Sequence, residues 1–281
     1  MPSHGSKTAL LDDLRRRIAH LEHPVLCQEA PPPALALGVA EIDAHLPWGG
    51  LAPAALHEIV PAKPGDGATA LGFAAALLGL AARKAAVLWC RSQGDLYAPG
   101  LKPLGLTESN LIIINTSKDR DLLWAMEEGL RSGALAAVLG EIRNLSPTAT
   151  RRLQLAAEDG GTLAFLAHSR AAAATMTRWQ VAAAASRHPR GNWPGKTCWH
   201  VRLERCRGAG GGQWFVEWHD DDNISRDIPR NTPRRISRKP PGKISGTASG
   251  FRLVAAFRDG SLRPAAADTA QPLPLQTASA R

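Results

Sequence analysis

The residues best suited to chemistry lie between positions 62 and 69, where Ala62-Lys63-Pro64-Gly65-Asp66-Gly67-Ala68-Thr69 joins two apolar segments. A strand, a glycine loop and a helix in that order cradle phosphate on backbone N–H groups at the helix N-terminus. Laid on the pattern G-x-x-x-x-G-K-[ST], the loop keeps Gly67 and Thr69 but has Ala62 for the first glycine and Ala68 for the lysine. That lysine carries the charge that reaches the β- and γ-phosphates. Asp66 brings repulsion to the same place. Lys63 is the substitute cation, and with Gly65, Gly67 and Thr69 it makes up a degenerate nucleotide site. A glycine-rich connection that merely starts a helix explains the same residues more simply.

The acids repeat this pattern. A magnesium-holding Asp belongs at the end of the apolar run Leu135–Leu139, which continues instead into Gly140-Glu141. Glu141 is the candidate substitute, one methylene longer and one position late; an exposed acid after a strand is the plainer alternative. The carboxylate that activates an attacking group belongs after Ala85–Cys90, where Cys90-Arg91-Ser92-Gln93 offers no base. An NTPase lacking the lysine, the Asp and the base is not expected to turn over. No catalytic residue is therefore assigned, and ATP is the one candidate cofactor. The nine histidines have no metal-ligand spacing, and Cys27, Cys90, Cys198 and Cys206 form no C-x-x-C pair. This argues against a zinc site or disulfide framework and fits a reducing compartment.

The elements that must hold the loop alternate along the chain. His57–Val60, Ala85–Cys90, Leu111–Asn115, Leu135–Leu139 and Thr162–Ala167 are short apolar runs that read as strands. Ala68–Ala82, Asp121–Ser132 and Pro147–Glu158 read as the helices between them. Apolar strands separated by helices predict an α/β fold with a mostly parallel sheet covered on both faces. Cys198–Leu203 and Gln213–Trp218, around Gly208–Gly212, predict an appended hairpin. Ahead of the core, Leu10, Leu11, Leu14, Ile18 and Leu21 predict an amphipathic helix over about 8–22. The domain plan is an N-terminal helix and linker over 1–34, an α/β domain with its hairpin over 35–222, and a tail over 223–281.

Charge separates the tail from the rest. The 281 residues carry 34 Lys and Arg against 25 acids, a net +9. Residues 226–281 hold eleven of the basic residues and three of the acids, so the tail carries +8 and the rest of the chain is nearly neutral. Rich in Pro, Gly and Ser, this stretch cannot offset its ordering entropy by burial and reads as disordered. Arg234, Arg235, Arg238, Lys239 and Lys243 are its candidate DNA contacts, by phosphate neutralisation. Gly250–Gly260 is an apolar island within it, with Phe251, Leu253 and Phe257 as anchors of a docking peptide for a partner. Trp199, Trp214 and Trp218, near Arg202, Arg205 and Arg207, admit a nucleic-acid stacking platform. Equal parity puts Trp214 and Trp218 on one face of the hairpin, so packing on the helices is the simpler reading. No signal peptide or bilayer-spanning run is visible, and a cytoplasmic location is expected.

Beyond these residues, the chain resembles a RecA-type core. Leu37-Gly38-Val39, Ile42-Asp43, Leu46-Pro47-Trp48-Gly49-Gly50-Leu51 and His57-Glu58-Ile59-Val60 are similar to the segments leading to that core's phosphate loop. Leu96-Tyr97-Ala98-Pro99, Leu104-Gly105-Leu106 and Leu130-Arg131-Ser132-Gly133-Ala134 continue the likeness in order, over about 35–170. Within that superfamily the chain resembles the ImuA family, itself similar to the division inhibitor SulA. Arg178-Trp179, expected on a helix, Trp199-His200-Val201-Arg202-Leu203-Glu204-Arg205, Arg207-Gly208 and Trp214-Phe215-Val216-Glu217-Trp218 carry that resemblance. It implies a RecA-like P-loop fold and an SOS-induced accessory factor for error-prone lesion bypass. The implied partners are an ImuB-type Y-family polymerase homologue, a DnaE-type error-prone polymerase and RecA. Two other functions fit the same residues: a weak DNA-dependent ATPase using Lys63 and Glu141, and a SulA-like inhibitor of cell division. The full set of core strands counts against the last.

Overall fold

Strands that are apolar at every position need cover on both faces. The computed structural model puts three of them, β2 (Val87–Arg91), β4 (Ala137–Glu141) and β5 (Leu163–Ala167), inside a sheet between two helical layers. The structure describes residues 13, 33–92, 94–142, 144–167, 175–186, 195–220, 249–258 and 261–264. The other elements are β1 (Leu56–Pro61), β3 (Leu111–Asn115), β6 (Thr177–Ala183), β7 (Cys198–Cys206), β8 (Gly212–His219), β9 (Gly250–Arg258) and β10 (Ser261–Pro264). Among the described residues they form one sheet in the order β10-β9-β8-β7-β6-β1-β5-β4-β2-β3. Pairing is parallel from β6 through β3 and antiparallel from β6 out to β10.

The helices are α1 (Ala40–Asp43), α2 (Gly67–Ala81), α3 (Asp119–Arg131) and α4 (Pro147–Gly160), with a 3₁₀ turn over Ala98–Leu104. Helix α2 packs on one face with Trp89, Leu139, Phe165 and Trp179, while α3 and α4 pack on the other with Leu88, Val138 and Leu166. Local chemistry sets their ends. Ser146 caps α4 by accepting the Ala149 N–H at 3.1 Å, Pro147 follows it, and Gly161 closes the helix in the left-handed region. Buried along almost its whole length, α2 is dominated by Ala and Leu, and the 3₁₀ turn lies so close to it that a Cβ at Gly79 would collide with the Leu104 carbonyl.

The five expected core strands, three helices and the hairpin are all present, with ends moved by a few residues. Two expectations are corrected. Arg178 and Trp179 lie on strand β6, not on a helix: Thr177, Trp179 and Val181 are buried and alternate with half-exposed Arg178 and Gln180, a period of two. The second concerns the tail. Residues 250–258 and 261–264 are strands, β9 pairing antiparallel with β8 and β10 with β9. The apolar island thus extends this chain's own sheet. The expected helix over 8–22, apart from helical Asp13, and residues 221–248 and 265–281 lie outside the described residues.

Candidate functional site

Loop 62–66 leaves the C-terminal end of β1 and enters α2, as a phosphate loop would. Its turn closes through the Asp66 N–H, which donates to the Lys63 carbonyl at 3.1 Å, and Gly65 takes a φ of 102° that only glycine adopts readily. Lys63, Pro64, Gly65 and Ala68 are exposed, and Thr69 is half-buried. Asp66 is 6% exposed and stands at the N-cap of α2 without capping it; its Oδ2 has no hydrogen-bond partner among the described residues. A buried carboxylate at this helix end supplies the negative charge the dipole favours and repels a second anion. The Thr69 carbonyl accepts the Trp199 indole N–H at 3.1 Å, which ties the first turn of α2 to β7.

The candidate metal ligand is already engaged. Glu141 extends from β4 toward the α2 side, where its Oε1 accepts the Trp89 indole N–H at 2.7 Å and lies 3.4 Å from Arg91 Nε. The Arg91 side chain is 6% exposed and that of Glu141 15%. This pairing follows from register: Trp89 stands opposite Leu139 on adjacent strands, so Arg91 and Glu141 share the next position on the same face. One residue earlier, Gly140 faces α3, and a Cβ there would collide with Met126. A side chain at the position expected for a metal-holding Asp would thus have to displace the Met126 thioether. On the neighbouring strand, burial pushes the Cys90 thiol up to about 12, so it is no nucleophile at neutral pH. Among the described residues no group of three or more His, Cys, Asp or Glu is arranged to hold a metal ion.

The loop, Thr69 and Glu141 all lie at the C-terminal edge of the parallel strands. The partner candidates do not form a site together. Arg234, Arg235, Arg238, Lys239 and Lys243 lie outside the described residues. Phe251 is buried at 6% exposure, with its ring centroid 5.3 Å from Phe73 and 5.0 Å from Trp218. It is core, not a free anchor. Leu253 is half-buried against the same cluster, and Phe257 pairs through its backbone with Leu262 of β10. Trp199, Trp214 and Trp218 are buried too, on the α2 side, so they form no stacking platform.

Two features lay beyond the sequence reading. Arg91 was visible only as a non-base, and its link to Glu141 depends on the β2–β4 pairing. Glu58, fully buried on β1, bonds Arg178 Nη1 at 2.5 Å, and Arg178 Nε reaches Glu204 at 2.9 Å. Burial opposes the Arg178 charge, but the bonds and charges of Glu58 and Glu204 outweigh it and hold the guanidinium above its ordinary range. Parity alone hinted at Glu58, since an acid among apolar neighbours on a central strand needs a cation.

Comparison with known proteins gives two kinds of likeness. Protein ImuA of Caulobacter vibrioides, in strains NA1000 / CB15N and ATCC 19089 / CIP 103742 / CB 15, is 35% identical over 205 residues, covering 66% of this chain and 84% of the relative. The crystal structure of SulA from Pseudomonas aeruginosa matches with a TM-score of 0.36 and 21% identity, over 42% of this chain and all of that one. No family model matches the chain. No helix among the described residues is long and apolar enough to cross a membrane.

Proposed function

Because the chain belongs to the ImuA family, we propose that it is a non-catalytic accessory factor for SOS-induced, error-prone translesion synthesis. It acts through protein contacts with an ImuB-type polymerase homologue and a DnaE-type polymerase, with RecA as a third contact, in the cytoplasm. Its core is a RecA-like P-loop core that has given up nucleotide chemistry. The strand order supports that origin, since β1 lies between β5 and β6 and its loop opens at the C-terminal edge of the strands.

The observation that carries the non-catalytic reading is the closed state of Glu141. A carboxylate that accepts an indole N–H and is ion-paired with a buried arginine would have to give up both contacts to reach magnesium, at a cost in free energy. The absent lysine at Ala68 and the buried acid at Asp66 point the same way. An interaction protein needs a stable surface and no turnover, and this arrangement supports that reading.

Isothermal titration with ATP and Mg²⁺ tests the non-catalytic half of the proposal. No heat of binding is expected at micromolar protein. Micromolar affinity abolished by Thr69→Ala would overturn it in favour of a weak ATPase. Co-purification from DNA-damaged cells tests the partners: polymerase subunits are expected, and retrieval of the division tubulin without them would move the protein to a SulA-like role.

A further inference from the structure

In the antiparallel half, β6 to β9, only one sheet face is covered by a helix among the described residues. Trp179, Val201, Trp214 and Val216 turn toward α2 and are buried, whereas α3 and α4 pack on β1 to β5. Residues of the opposite parity form rows across the outer face. Register places Gln180, Arg202 and Gln213 in one row, and Ala182, His200, Phe215 and Ala255 in the next. Arg178 and Arg205 pair on one side of these rows, and Cys198, Glu217 and Arg252 on the other. Successive rows lie about 7 Å apart, two residues along a strand.

The chemistry of these rows is particular. The His200 and Phe215 rings stack, with centroids 4.6 Å apart and planes 16° from parallel. An alanine stands at each end of their row, so methyl groups border the stack where a larger side chain would block it. Burial holds His200 below the ordinary histidine range, which keeps the ring neutral at pH 7. The two central rows contain no acid. Glu204 and Glu217 stand outside them, Glu58 is fully buried, and Arg178, Arg202, Arg205 and Arg252 are all half-buried or exposed.

A stacked aromatic pair amid arginines and amides on an antiparallel sheet is suited to a strand that is negatively charged and has unpaired bases. Bases of any sequence can extend the stack, arginines neutralise phosphates, and glutamines bond base edges. We propose that the outer face of β6–β9 binds single-stranded DNA, with His200 and Phe215 as the stacking pair and the exposed Arg202 and Arg252 along the phosphates. None of its residues belongs to the β1–α2 loop, and it does not depend on the polymerase contacts.

The test is fluorescence anisotropy of a labelled 20-nucleotide oligothymidine with the full-length chain at two salt concentrations. Loss of one stacking residue in Phe215→Ala is expected to weaken binding about 5- to 150-fold. Arg202→Gln lowers the salt slope by about 0.7 if it removes one phosphate contact. Because Phe215→Ala risks the fold, Gln180→Arg serves as a gain-of-function arm and is expected to tighten binding several-fold. Three results overturn the proposal: parental affinity in Phe215→Ala, Arg202→Gln and Gln180→Arg alike, equal affinity for duplex of the same length, or no binding by the parent chain. Complete loss on replacing Arg234, Arg235 and Arg238 with the face intact overturns it as well.

Discussion

At the C-terminal edge of the parallel strands, Asp66, Arg91 and Glu141 are drawn into the protein, and Glu141 and Arg91 neutralise each other. On the outer face of the antiparallel strands, Arg202 and Arg252 stand exposed, and the acids are displaced to the rows beyond the central pair. The difference is instructive because the two regions read alike in one dimension, each a scatter of charges between apolar residues. A charge taken out of water is costly unless paired, and Arg91 and Glu141 engage each other where a ligand would need one of them. Surface arginines keep the capacity for a ligand. The region that looks like a nucleotide site therefore has its charges engaged, and the region that looks like an accessory hairpin has, among the described residues, exposed arginines on a face without a helix over it.

The sharpest way to break this comparison is to attack the joint between sheet and tail. If Phe251 belongs to the core of the antiparallel half, Phe251→Ala should cost about 3–5 kcal/mol in denaturant unfolding. A peptide waiting for a partner would leave stability unchanged. Next in size is Glu141→Ala, which removes the carboxylate 3.4 Å from the buried Arg91 guanidinium and should cost about 3 kcal/mol. The double replacement of Arg91 and Glu141 by Met should cost clearly less than the single change, and unfolding of all three proteins checks it. A carboxylate free for metal would show the opposite order, with Glu141→Ala nearly neutral.

Smaller effects sharpen the picture. Ala68→Lys restores the missing phosphate-loop lysine at an exposed position, so stability should move by less than about 0.5 kcal/mol. ATP binding by titration should remain absent, since Asp66 and the Arg91–Glu141 pair are untouched. The least effect is on pH dependence. Burial holds His200 and His219 below the ordinary histidine range, with neighbouring cations adding to it. The unfolded chain then takes up protons at higher pH than the folded one, so their contribution to stability is present above about pH 6.5 and lost as pH falls through the folded values. Urea midpoints at pH 7.5 and 5.5 should show the loss, and His200→Gln should reduce it.

How far the sequence could be read depended on how local the deciding contacts were. Leu163–Ala167 and Val87–Arg91 were legible because five buried positions in a row leave a strand few other options. Trp214 and Trp218 were placed on one face by parity alone. Arg178-Trp179, expected on a helix, lies on a strand because the alternation of buried Thr177, Trp179 and Val181 with half-exposed Arg178 and Gln180 fits a strand paired with β1 and β7. Gly250–Arg258 was misread as tail because its neighbours are Pro, Gly, Ser and Arg; the strand forms because the free edge of β8 offers it a ladder and Phe73 a ring to pack against.

Alone, the sequence determined the types of the elements from β1 to β5, the parallel core and the absence of the phosphate-loop lysine, since each depends on residues within a few positions of one another. It also determined the family, whose pattern is linear by nature. Only the tertiary structure decided that Glu141 is held by Arg91 and Trp89, that Gly140 is crowded by Met126, and that Phe251 is core. These contacts join strands and helices far apart in the chain. Burial and pairing of charge depend on which strands become neighbours, and strand order is a property of the assembled sheet.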